Sequence, residues 1–232
     1  MKMAAVLAAF ILAGPAAAQD GAAYEAALLS SPTYRPLFEE MKKHFPDTWN
    51  ELIAESMQRL SAGQTPAQLE VYRRDYLQRF QQALRPSMRK APSAQIAEYA
   101  KANAEFMKAL KGEDVAACAA IVAGQPAPAG AAEKFKEATV RAYVLAQAAM
   151  VRAAKAGADK PTEHSPPTPQ DDAIVAAFMR EAGGQVADVR LVGVASAPLS
   201  PRQRCDAGVG WAVATTKATN AVIARQLNRN GR

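Results

Sequence analysis

The sequence predicts an all-α fold, an irregular array of about seven to nine helices, and three observations predict it. Large apolar residues recur at three- and four-residue steps along most of the chain, which places them on single helix faces. Prolines, glycines and capping residues separate these stripes, where helices start and stop. Only Val186–Ala195 crowds enough valines for a strand, and a lone strand has no evident partner.

The elements follow in order. Over Ser31–Phe45, Tyr34, Leu37, Phe38, Met41 and Phe45 form one stripe, and Pro46 with Asp47 opens a second helix carrying Trp49, Leu52, Ile53, Met57 and Leu60. Ser61-Ala62-Gly63 ends it. Thr65-Pro66 joins a capping hydroxyl to a proline at the first helical position, and Leu69, Tyr72, Tyr76, Phe80 and Leu84 continue to a stop expected at Pro86. Ser93 starts a helix through Leu110, and Gly112 separates it from a short one holding Val115, Cys118, Ala119 and Val122.

Residues 125–130 read as a linker, Gln-Pro-Ala-Pro-Ala-Gly. Ala131–Ala156 is alanine-rich and helical, and Gly157–Gln170, with four prolines, is a loop or exposed tether. Asp171–Ala182 is helical through Ile174, Val175, Phe178 and Met179. A last helix is expected from about Pro201 to Asn228. Its Gly208 and Gly210 each cost about 1 kcal/mol relative to alanine in a helix, so they are expected at a close helix contact. Aromatic residues concentrate in the first half; only Phe135, Tyr143, Phe178 and Trp211 follow residue 110. The chain therefore divides into an N-terminal helical part, 19–124, and an alanine-rich C-terminal part, 131–232, forming two lobes or one domain.

The first eighteen residues have the layout of a secretory signal. Lys2 precedes the apolar run Met3–Ala13, Gly14-Pro15 breaks it, and Ala16-Ala17-Ala18 offers a cleavage site before Gln19. The run is well short of the roughly 20 apolar residues of a membrane span, and no cysteine follows it for lipidation. Nothing later in the chain is long enough to span a membrane. The two cysteines, Cys118 and Cys205, are expected to form a bridge in an oxidising compartment, fastening the two parts across the linker.

Chemistry-bearing motifs are few. Ser87-Met88-Arg89-Lys90 has a Ser-x-x-Lys spacing but no companion elements of that mechanism. His44 sits at a helix end, where a cation suits the dipole, and His164 in the tether reads as a solvated side chain. Glu51 and Glu55 share a helix face, but Glu55 is also spaced to pair with Arg59. Asp171 and Asp172 read as first-turn acids. No metal or cofactor is implied.

Charge is the more informative signal. The chain carries a net +6. Arg73–Lys90 holds six basic residues against Asp75 alone, and the terminal region adds Arg202, Arg204, Lys217, Arg225, Arg229 and Arg232 against Asp206. Helical spacing aligns Arg225, Arg229 and Arg232 as an anionic-surface contact, although i,i+4 pairs such as Glu70–Arg74 and Asp75–Arg79 point to ordinary solvated surface. The sequence leads to a periplasmic or secreted binding or accessory module whose partner is an envelope protein, anionic lipid or wall polymer. Nucleic acid is a poor partner for an exported chain without a binding module. The alternatives are a hydrolase-type enzyme with dispersed residues, for which Glu51, His44 and Asp172 would have to converge, and a carrier of a small apolar ligand.

Overall fold

The structure is a computed structural model, and it describes residues 21–128, 130–131, 134–181, 192 and 196–229. The expected leader, residues 1–18, lies outside the described residues, as do Arg232 and, apart from Val192, the stretch 186–195.

The described residues are all-α, with ten helices and no strand. In chain order they are α1 Gly21–Ser30, α2 Arg35–His44, α3 Pro46–Ser61, α4 Pro66–Arg89, α5 Ser93–Glu113, α6 Val115–Val122, α7 Glu137–Asp159, α8 Pro169–Glu181, α9 Pro201–Thr215 and α10 Asn220–Leu227. The ends obey local chemistry. Thr65 and Ser200 make reciprocal capping boxes with Gln68 and Gln203, each before a proline at the helix start. Asp114 accepts a hydrogen bond from the Ala117 N–H at 2.9 Å and so starts α6 one residue beyond α5.

Three boundaries differ from expectation. Helix α4 passes through Pro86 to Arg89; the proline cannot donate to the Gln82 carbonyl, but both residues are exposed, so that carbonyl is open to solvent. The expected terminal helix is two helices. Thr216, Lys217 and Ala218 turn on i to i−3 bonds, and the Thr219 hydroxyl caps the Val222 N–H to begin α10. The long alanine-rich helix begins later, at Glu137, and continues past Gly157 to Asp159.

Helix α7 is the centre of the fold. It is buried almost all round from Ala146 to Gly157, as a helix enclosed by others must be, and it packs against α2, α4 and α5. Its small residues let those neighbours approach. The main core joins Leu37, Met41, Trp49, Leu52, Tyr76, Phe80 and Ile96 to Val144, Val151, Ala154 and Ile223. Residues from both sides of the 125–130 linker therefore share it. Each large side chain buried there contributes about 1.5–3 kcal/mol relative to exposure.

A second core surrounds the disulfide between Cys118 of α6 and Cys205 of α9, with Phe106, Met107, Leu110, Ala146 and Val209 around it. Both cysteines are fully buried. A Cβ on Gly208 would lie 2.8 Å from Val122 Cγ1, so this glycine does serve the close α6–α9 contact. Gly210 does not: a Cβ there would meet Met179 Cε at an ordinary 3.8 Å. The tightest approach is at Gly157, where a Cβ would overlap the Ser87 carbonyl and stand 2.8 Å from the Ala91 nitrogen.

Candidate functional site

That approach sets the site. Because α7 presses on the end of α4 at Gly157, the proline-rich tether leaves α7 directly beside Lys90 and Ala91. Two hydrogen bonds hold it there. The Thr162 N–H donates to the Lys90 carbonyl at 2.7 Å, and His164 Nε2 bonds the Ala91 carbonyl at 2.7 Å. A carbonyl only accepts, so the Nε2 nitrogen carries the proton. His164 is thus a staple of the tether rather than the solvated side chain expected.

From the other side, Asn228 follows α10 and donates Nδ2 to the Arg89 carbonyl at 3.1 Å. Between tether and helices lies a groove of about 500 Å³, lined by Pro86, Arg89 and Lys90 of the α4 end, by Thr162, Glu163, His164, Pro166 and Pro167, and by Asn228 and Arg229.

A clamp at the start of α8 fixes the far wall. Thr168 and Asp171 exchange hydrogen bonds, and Asp171 receives the Arg225 guanidinium on both oxygens, at 2.7 and 2.8 Å. Asp171 is only 3% exposed, and the Arg225 hydrogen bonds hold its carboxyl well below the usual carboxylate range against the opposing effect of burial. Asp172 takes Arg229, together with Gln226 Nε2 at 2.9 Å. The first-turn acids thus tie α8 to α10.

This changes the role of the terminal arginines. Arg225 and Arg229 do lie together, but each spends its charge on an aspartate of α8. Lys90 faces Glu163 at 3.2 Å. Arg89 differs: the residue is half-buried, and its guanidinium has no ion pair or hydrogen bond with any described residue.

The other candidates sit elsewhere. Tyr76 donates its hydroxyl to Glu51 at 2.9 Å, and Tyr72 donates to Glu55 at 2.8 Å. Arg59 lies over the Tyr72 ring, 4.0 Å from its centroid, instead of pairing with Glu55. Burial first, and the accepting carboxylates second, raise both phenols above the ordinary tyrosine range. His44 faces Glu40 at 3.1 Å, and Glu40 also takes Arg152 at 2.9 Å. Glu51, His44 and Asp172 therefore belong to three separate networks. Ser87 makes a packing contact through its carbonyl at Gly157, and its spaced partner Lys90 turns to Glu163. The anticipated Glu70–Arg74 pair is replaced by Glu70–Arg73 at 3.4 Å.

Among the described residues no three His, Cys, Asp or Glu side chains are placed to hold a metal ion, and no helix is long and apolar enough to cross a membrane. Comparison with protein-family models, curated proteins and solved structures gives no match.

Proposed function

We propose that this chain is an exported helical binding module, periplasmic or secreted, that docks an anionic group of an envelope partner in the Arg89 groove. The observation that carries the reading is the meeting of the two basic stretches. Arg89 and Lys90 close the first, Arg229 belongs to the second, and the fold brings them to one indentation beside His164. Within it the ion pairs account for Lys90 and Arg229 and leave the Arg89 charge over. A half-buried arginine whose guanidinium has no partner among the described residues is a strong recognition element, because it binds oxyanions through two parallel hydrogen bonds.

In this reading Arg225 and Arg229 build the groove wall, and Arg89 meets the partner. The bridge between Cys118 and Cys205 suits an oxidising compartment, and the signal-like start suits export. The partner is a protein, lipid or wall polymer that presents an anionic group to a rigid notch.

The test is retention of the oxidised protein on its native envelope fraction, compared between wild type and Arg89→Gln at two salt concentrations. Loss of about tenfold, with the wild-type signal weakened by salt, is expected. Equal, salt-insensitive retention of both proteins removes the proposal.

A further inference from the structure

We infer that the group held by the groove is a single carboxylate next to an apolar substituent, and not a phosphate; the inference rests on the groove being the binding site proposed above. Three features select the carboxylate. The first is charge. With Glu163 on Lys90 and Asp172 on Arg229, one positive charge is left over, that of Arg89, which matches a monoanion and not a dianion.

The second feature is the field of the helices. Helix α4 ends at Arg89 and α10 at Leu227, so two helix C-termini meet at the groove. Each carries a partial negative charge of about half a unit. Their effect, only partly offset by the positive end of α8 behind the far wall, is tolerable for a monoanion paired with a guanidinium and opposes any second negative charge. A helix C-terminus also supplies carbonyls, and here the Arg89 and Ala224 carbonyls already accept from Asn228.

The third feature is the donor count against the apolar wall. A phosphate presents three strong acceptor oxygens. Pro86, Pro166 and Pro167 have no N–H to offer them, the Thr162 N–H is spent on Lys90 and the Lys90 ammonium on Glu163, and of the Arg229 guanidinium only the buried Nε is without a partner. A carboxylate needs only the two-pronged Arg89 fork, and the proline rings then face whatever carbon chain follows it. The groove, at about 500 Å³, has the size of small-ligand pockets. Either the free end of a peptide or a small carboxylic acid has this chemistry.

The test uses the full, oxidised chain in nuclear magnetic resonance titrations with four probes: N-acetyl-Ala-Ala acid, its amide, butyrate and inorganic phosphate. Both acids should shift resonances of residues 86–91 and 162–167, the peptide acid more tightly if a peptide end is the natural ligand and butyrate equally if not. The amide should bind at least tenfold more weakly, and phosphate more weakly than either acid. Arg89→Gln should abolish the shifts while Arg89→Lys keeps part of them, with unchanged backbone spectra elsewhere as the folding control.

Phosphate binding as tightly as the acids, or amide and acid binding alike, overturns the carboxylate inference and leaves the anionic groove standing. No shift with any probe, while envelope retention still depends on Arg89, also overturns only the inference. No shift together with Arg89-independent retention ends both.

Discussion

The contact between α7 and α4 makes a sharp prediction about glycine. Replacing Gly157 by alanine gives the helix interior about 1 kcal/mol of propensity. Against that gain, the new methyl would overlap the Ser87 carbonyl and stand 2.8 Å from the Ala91 nitrogen and 2.9 Å from the Ser87 carbonyl carbon. All three obstacles are backbone, so no rotamer change relieves them, and α7 must move off α4. Overpacking of this kind costs about 1–3 kcal/mol, and more when the backbone is the obstacle. The net loss is about 2 kcal/mol, which for a chain of this size lowers Tm by about 4–8 °C.

The same substitution at Gly210 meets only Met179 Cε at 3.8 Å and should keep most of the propensity gain, raising Tm by about 1–4 °C. Gly208→Ala lies between them, because its obstacle is the Val122 side chain. Thermal unfolding of the three variants, followed by circular dichroism, measures the order. A Gly157→Ala protein as stable as wild type, or a Gly210→Ala protein that falls as far, would refute the reasoning.

Three further outcomes are expected. Removing the bridge by Cys118→Ser with Cys205→Ser frees an 87-residue separation and should cost at most about 4–5 kcal/mol by chain entropy; urea unfolding measures it, and wild type in reductant under unfolding conditions should match the variant. Asp171→Asn should cost about 1.5–3 kcal/mol at neutral pH, the range for hydrogen bonds to charged groups. The folded-state pKa of Asp171 is depressed, so its contribution is present above the unfolded value of about 3.9 and is lost as pH falls below it; wild type should lose stability there more steeply than Asp171→Asn. The phenols of Tyr72 and Tyr76 are raised, so their contribution is whole below about pH 10 and declines above it. Ultraviolet titration should show Tyr34, Tyr72, Tyr76, Tyr99 and Tyr143 ionising late, a group that shrinks by two in Tyr72→Phe with Tyr76→Phe, and above about pH 10 the stability of that variant should fall less steeply than that of wild type.

Much of the fold was legible because its helices carry large apolar stripes. Leu69, Tyr72, Tyr76, Phe80 and Leu84 lie at helical spacing, and all are buried in α4. The two cysteines paired as anticipated. Helix α1 was missed because it has no such stripe: its segment is alanine-rich and only Leu28 is buried. The break between α9 and α10 was missed although Thr219 followed by Asn220 is a capping signal, because the small apolar residues continue on both sides of it.

The groove was illegible for a different reason. Its basic content was visible as two separate stretches, but they meet through the contact of Asn228 with the Arg89 carbonyl, 139 residues away, and the tether is set beside them at Gly157, which reads in the sequence as the start of a loop and serves in the fold as the seat of a helix crossing. The same crossing turns His164 from a loop residue into a staple. The partners of Arg225 and Arg229 are 54 and 57 residues away, beyond the reach of any i,i+4 rule.

The covalent link between α6 and α9 has a practical corollary for the exposed stretch around Pro126 and Pro128. A protease that cuts there severs the chain without freeing either fragment. The nicked molecule should travel as one species on a non-reducing gel and fall into two bands once thiol is added. Wherever reductant is scarce, a single clip at this point would leave the two fragments joined.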